Sequence, residues 1–162
     1  MLGGHSILKT ALWVPFLFVF AFFLMSGIDL LADNVFETRK ETMSPSWQKV
    51  LIGISLFVGQ YFLSGLLSHA GFYSSIIYFL LQFIALSGQV FLDLSFAGLF
   101  LAYATAIGGP LVEIYLINYP HLYQYTAPDL YGIPFWITHV YFLGAPAVAN
   151  LARRINSDKK MR

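Results

Sequence analysis

Five stretches of this chain are too long and too apolar to remain in water. They run from Ala11 to Leu31, Trp47 to Leu67, Phe72 to Leu92, Leu94 to Asn118 and Gly132 to Leu151. A hydrocarbon core about 30 Å thick is crossed by roughly 20 apolar residues in a helix, because each residue rises about 1.5 Å. Inside lipid every backbone N–H and C=O must find its partner within the segment, so each stretch is expected to be a helix. The expected fold class is all-α, a polytopic transmembrane bundle of about five spans over residues 1–162, with residues 152–162 as a basic cytosolic tail. Composition agrees. The chain is 58% hydrophobic and 10% charged, against about 25% charged in soluble domains, and its mean hydropathy is +0.70.

Polar connections separate the spans. The longest, Ala32 to Ser46, holds Asp33, Glu37, Arg39, Lys40 and Glu41; the others are Ser68 to Gly71, a turn at Asp93, and the aromatic loop Tyr119 to Tyr131. Ser44 is expected to cap the second span, with Pro45 near its first turn. The first span is longer than a typical signal core and lacks a clear small-residue cleavage site, so it is expected to be retained. No internal repeat is evident.

An odd number of spans puts the two termini on opposite sides. With the C-terminus in the cytosol, Arg39, Lys40, Lys49, Arg153, Arg154, Lys159, Lys160 and Arg162 all face the cytosol, and only Lys9 does not. This is the pattern that positive charge imposes on membrane topology. The basic tail therefore reads first as a topology signal and second as a contact for anionic lipid. No nucleic-acid partner is expected. The absence of cysteine excludes disulfides, thiolate catalysis and iron–sulfur clusters.

Helices in lipid pack through small residues. Gly98, Ala102 and Ala106 form one such line in the fourth span, Ala104 and Gly108 a neighbouring one, and Ala145 and Ala149 another in the fifth. Spans four and five are therefore expected at the centre of the bundle. The fourth span is expected to break at Gly108, Gly109 and Pro110, just before Glu113. A carboxylate in hydrocarbon needs a partner or a proton. Glu113 is read either as paired near the interface, with a helix end or a tyrosine, or as a ligand or proton site like those beside broken helices.

Gln60, Gln82 and Gln89 are read as interhelical hydrogen-bonding groups or as pocket lining. Asp29 and Asp33 share a helix face. They are read as a solvated helix end facing Arg39 and Lys40, or as a cation or acid–base pair. His139 reads as a packed or interfacial side chain, and His5, His69 and His121 are scattered, so no metal site and no cofactor are expected. In the last loop, Pro128 and Asp129 read as a corner leading into the fifth span, or as a contact surface.

Some of these residues also resemble a known family. Tyr123-Gln124-Tyr125-Thr126-Ala127-Pro128-Asp129-Leu130 is similar to the Tyr-Gln-Tyr-Thr-Ser-Pro-Asp-Phe segment of the Insig (insulin-induced gene) proteins. Trp136, Phe142, Gly144, Val148, Asn150 and Arg153 resemble the last helix of that family. Ala149-Asn150-Leu151-Ala152-Arg153 stands where the family has a Gly-Asn-Ile-Gly-Arg-like run. Leu12-Trp13-Val14-Pro15, Ser46-Trp47 and Leu56-Phe57-Val58-Gly59 are similar to the openings of two further helices. The likeness covers about residues 12 to 155 and matches the last five of the family's six helices.

The resemblance implies a non-catalytic regulatory or adaptor protein with a cytosolic C-terminus. It implies binding of a sterol or diacylglycerol-like lipid between helices, and contact with another membrane protein. The location implied is the endoplasmic reticulum in a eukaryote, or the plasma or an internal membrane in a prokaryote. Asp93 matches a functional acid in a cytosolic turn of the family, although Leu94-Ser95-Phe96-Ala97-Gly98 replaces the basic residues that follow it there. The residues expected to bind ligand are Gln60, Gln82, Gln89 and Glu113. Those expected at a partner or structural motif are Asp93, Tyr123, Gln124, Tyr125, Thr126, Pro128 and Asp129. The alternative is a small membrane enzyme or proton-coupled carrier that works through Glu113.

Overall fold

A computed structural model describes residues 14–36, 44–125 and 127–160. These described residues form five helices: α1 (Val14–Val35), α2 (Trp47–His69), α3 (Ser74–Leu92), α4 (Phe96–Asn118) and α5 (Ile137–Lys160). Among the described residues there is no strand, only an isolated bridge between Leu130 and Ile133. The chain is an all-α helical bundle, and α2, α3 and α4 are each long and apolar enough to cross a membrane.

The turns show why the helices stop where they do. Ser46, not Ser44, caps α2, its hydroxyl accepting from the Lys49 N–H at 3.2 Å. Ser46 sits directly before the first helical residue, where a side-chain oxygen reaches an otherwise unpaired N–H. At the far end, Gly71 takes φ +79°, a backbone angle that costs glycine nothing, and α3 begins three residues later. Between α3 and α4, Asp93 Oδ1 accepts from the Ser95 N–H and Ser95 Oγ accepts from the Gly98 N–H.

Helix α5 is the axis of the bundle. It packs against α1, α2, α3 and α4, and its interface with α4 is the most extensive. It is buried nearly all round from Phe142 to Ala147 and again through Ala152 and Arg153, where small residues such as Ala145, Ala147 and Ala149 admit the neighbouring backbones. The central position expected for span five is therefore observed. Span four packs on α1 and α5 through Gly98 and Ala102, both buried, while Ala104 faces outward.

Two expectations are corrected. The Gly108-Gly109-Pro110 run does not break α4, which is helical from Phe96 to Asn118 with Pro110 inside it. Proline removes one backbone hydrogen bond, and the packing of α4 on α5 holds the helix across the gap. In addition, α5 starts at Ile137 rather than Gly132 and extends beyond Leu151 to Lys160. Its last turns are supported by an Arg154–Asp158 ion pair at 2.9 Å and by the Arg154 guanidinium lying 5.6 Å from the Trp47 ring centroid. Arg153 consequently belongs to the buried helix, not to a solvated tail.

The surface is inverted relative to a water-soluble protein. Phe62, Phe79, Phe83, Val90 and Ile107 are exposed, while Asp29, Asp33, Gln60, Gln89, Asp93, Glu113, Asn150 and Arg153 are buried.

Candidate functional site

The two ends of the bundle carry polar networks, and a groove lies between them. From their shared turn, α3 and α4 diverge over α5. The gap is a half-open groove of about 170 Å³, lined by Gln82, Ala85 and Leu86 of α3, Tyr103 and Ala106 of α4, and Thr138, His139 and Phe142 of α5. Its walls are mostly apolar, and its outer lips, Leu86 and Tyr103, are exposed. The His139 ring packs edge-on against Tyr78, with centroids 4.4 Å apart. Its Nε2 is buried without a hydrogen-bond partner. A volume below the roughly 300–1,000 Å³ of sites that enclose whole small molecules suits part of a larger ligand whose remainder lies in lipid.

Of the four residues expected to bind ligand, only Gln82 lines this groove. Gln60 is interhelical: its amide donates to the Leu81 carbonyl at 2.9 Å and to the His139 carbonyl at 3.4 Å, joining α2 to α3 and α5. Gln89 donates to the Asp93 carbonyl and closes the end of α3.

Glu113 sits near the other end of α4, roughly 7 Å along the axis from Asn118. Its Oε2 accepts from the Tyr125 hydroxyl and its Oε1 from the Tyr141 hydroxyl, both at 2.6 Å. Tyr123 contributes a further side-chain hydrogen bond. Bonds this short to an ionised acceptor are the strong kind. Burial, and then the negative charge of Glu113, push the Tyr123 and Tyr125 phenols above the ordinary tyrosine range, which keeps them neutral donors. Gly109 makes the arrangement possible, since a Cβ there would overlap the Tyr141 ring.

The motif loop closes over this carboxylate. Asp129 Oδ2 accepts from the Ser74 hydroxyl and from the Phe135 N–H, tying the loop to the start of α3 and to the residues before α5. Gln124, Pro128 and Asp129 are exposed, and Thr126 lies outside the described residues.

The opposite end holds an ionic cluster. Arg153 of α5 donates from Nη2 to Asp29 Oδ1 at 2.8 Å, from Nε and Nη2 to Asp33 at 2.8 Å each, and from Nη1 to Asp93 Oδ2 at 2.5 Å. All four side chains are fully buried. The reading of Asp29 and Asp33 as a solvated helix end is corrected, because burial against α5 gives them Arg153 as their partner. Arg39 and Lys40 lie outside the described residues. Gly98 accommodates the cluster, since a Cβ there would overlap the Asp93 carboxylate.

Arg153 is the residue whose setting the sequence did not convey, whereas His139 is packed, against Tyr78, as expected. The signal for Arg153 was present in the topology, which puts the Asp29–Asp33 helix end, the Asp93 turn and the end of the last span on one side. No family model, no curated protein and no solved structure matches this chain.

Proposed function

We propose that this is a non-catalytic integral membrane protein of five spans with a cytosolic C-terminus. It binds a largely apolar lipid bearing a small polar head, sterol or diacylglycerol-like, in the groove between α3 and α4. The observation that carries this reading is an otherwise apolar, laterally open groove lined in part by His139, whose buried Nε2 has no hydrogen-bond partner. A buried polar atom without a partner costs free energy, and a lipid hydroxyl reaching His139 with its apolar body between Leu86 and Tyr103 removes that cost. The resemblance to Insig proteins supports the same class of ligand. The carrier reading through Glu113 is not favoured, because both its oxygens already accept tyrosine hydroxyls.

The test is saturable labelling of the purified protein by photoactivatable sterol and diacylglycerol probes, with mass spectrometry of co-purified lipid. Labelling is expected on α3 and α5 peptides, and Ala106→Trp, which fills the groove, is expected to abolish it in protein that still folds. Protein that is consistently free of lipid and binds neither probe saturably overturns the reading.

A further inference from the structure

Among the described residues, the ionic cluster carries more negative charge than its surroundings balance. Three carboxylates face one guanidinium, all fully buried. Asp33 uses both oxygens on Arg153. Asp93 accepts from Arg153 and from the Ser95 N–H, and it lies at the N-terminal end of α4, where the helix dipole favours negative charge. Asp29 has neither advantage. Its Oδ1 accepts a single bond from Arg153, and its Oδ2 is buried with no hydrogen-bond partner.

Among the described residues, the charged groups that face Asp29 are Arg153 on α5, Asp33 one turn along α1, and Asp93 in the α3–α4 turn. Apart from its N-terminal N–H end, α4 adds no charge to the cluster. Among the described residues, two of the carboxylates are compensated, by Arg153 and by the end of α4, and the third has no counter-charge. A buried carboxylate in that position neutralises itself by taking up a cation or a proton. Among the described residues no group of acidic side chains is arranged to hold a metal ion, and five of the six carboxylate oxygens already accept hydrogen bonds.

We propose that the cluster is a proton-binding site that holds one proton on the Asp29 carboxyl at neutral pH, and that this proton keeps α1 docked on the bundle. Helix α1 packs against α4 and α5, and Asp29 and Asp33 are its ionic ties to them. Removing the proton places an uncompensated carboxylate beside Asp33 and Asp93 and pushes the second half of α1 away.

The test uses the full chain in nanodiscs. Infrared difference spectra between neutral and alkaline pH are expected to show a protonated-carboxyl C=O band that bleaches as pH rises and that Asp29→Asn removes. In parallel, spin labels at the exposed positions Leu31→Cys on α1 and Ile107→Cys on α4, in a chain free of native cysteine, report docking. A narrow distance distribution at neutral pH is expected to broaden reversibly at alkaline pH, and to stay narrow at both in Asp29→Asn. The absence of any band that Asp29→Asn removes overturns the proton site. So does a cluster whose spectrum responds to sodium or lithium rather than to pH. Failure of Asp29→Asn to fold also overturns it, because a neutral side chain of the same shape must be accepted where a protonated acid is. Distances that do not change while the band bleaches overturn the coupling to α1.

Discussion

Glu113 and Arg153 carry the charges that hydrocarbon tolerates least, and each is wrapped by side chains from other parts of the chain. Glu113 is surrounded by phenols from the last loop and from α5. Tyr125→Phe or Tyr141→Phe leaves one carboxylate oxygen short of its donor, and each is expected to cost about 1–3 kcal/mol, read as a lowered unfolding temperature in detergent. Arg153→Met is more severe. It strips from three buried carboxylates the only guanidinium that the described residues offer them, a loss of about 3–5 kcal/mol by analogy with broken buried pairs. Membrane-inserted protein is expected to fall sharply, as quantified by immunoblot, and Arg154→Met, at a half-buried site, is expected to leave it near normal. The cost of Glu113, and a tyrosine as one way to meet it, were legible in the sequence, but which tyrosines was not. Tyr141 lies 28 residues further on, and nothing local marks it. Arg153 reads as tail because a basic residue just past an apolar run looks the same whether it meets headgroups or buried acids.

The helices themselves were legible as elements, since each apolar run ends in polar or glycine punctuation. The limits of α5 were not. Its start is displaced by the Leu130–Ile133 turn and by Pro134. Its end is extended because Asn150 and Arg153 are polar yet buried, and Asn150 bonds the Leu92 and Pro146 carbonyls. The Gly-Gly-Pro run was misread as a break because its sequence signal, flexibility plus a missing donor, is the same as that of a close helix contact. The contact can be tested. Gly109→Leu must displace Tyr141 and is expected to destabilise by about 1–3 kcal/mol, the usual cost of overpacking. Gly59→Ala meets nothing within 4 Å and is expected to be neutral or to stabilise by about 0.5–1 kcal/mol through helix propensity. Paired thermal unfolding curves measure both.

For the molecule as a whole, the distribution of polarity is the controlling fact. Large apolar side chains cover the outside and ionisable groups fill the ends of the interior. Contiguous apolar surface on this scale is not found on water-soluble monomers, but it is what a bilayer requires. The overall class was legible because it follows from the length and greasiness of the runs. The groove was not, because it arises from how α3 and α4 splay over α5, a tertiary relation that no single stretch encodes. The midpoints of the three apolar helices give the sharpest test. Val58, Phe83 and Ile107 are all exposed, and each lies near the centre of its helix, roughly 14–17 Å from either end at 1.5 Å per residue. Single nitroxide labels at these positions, in protein reconstituted into nanodiscs, can be scored for collisions with oxygen and with a water-soluble nickel chelate. High oxygen and low nickel accessibility at all three is the predicted result, and strong nickel relaxation at these midpoints would contradict the account by placing them in water.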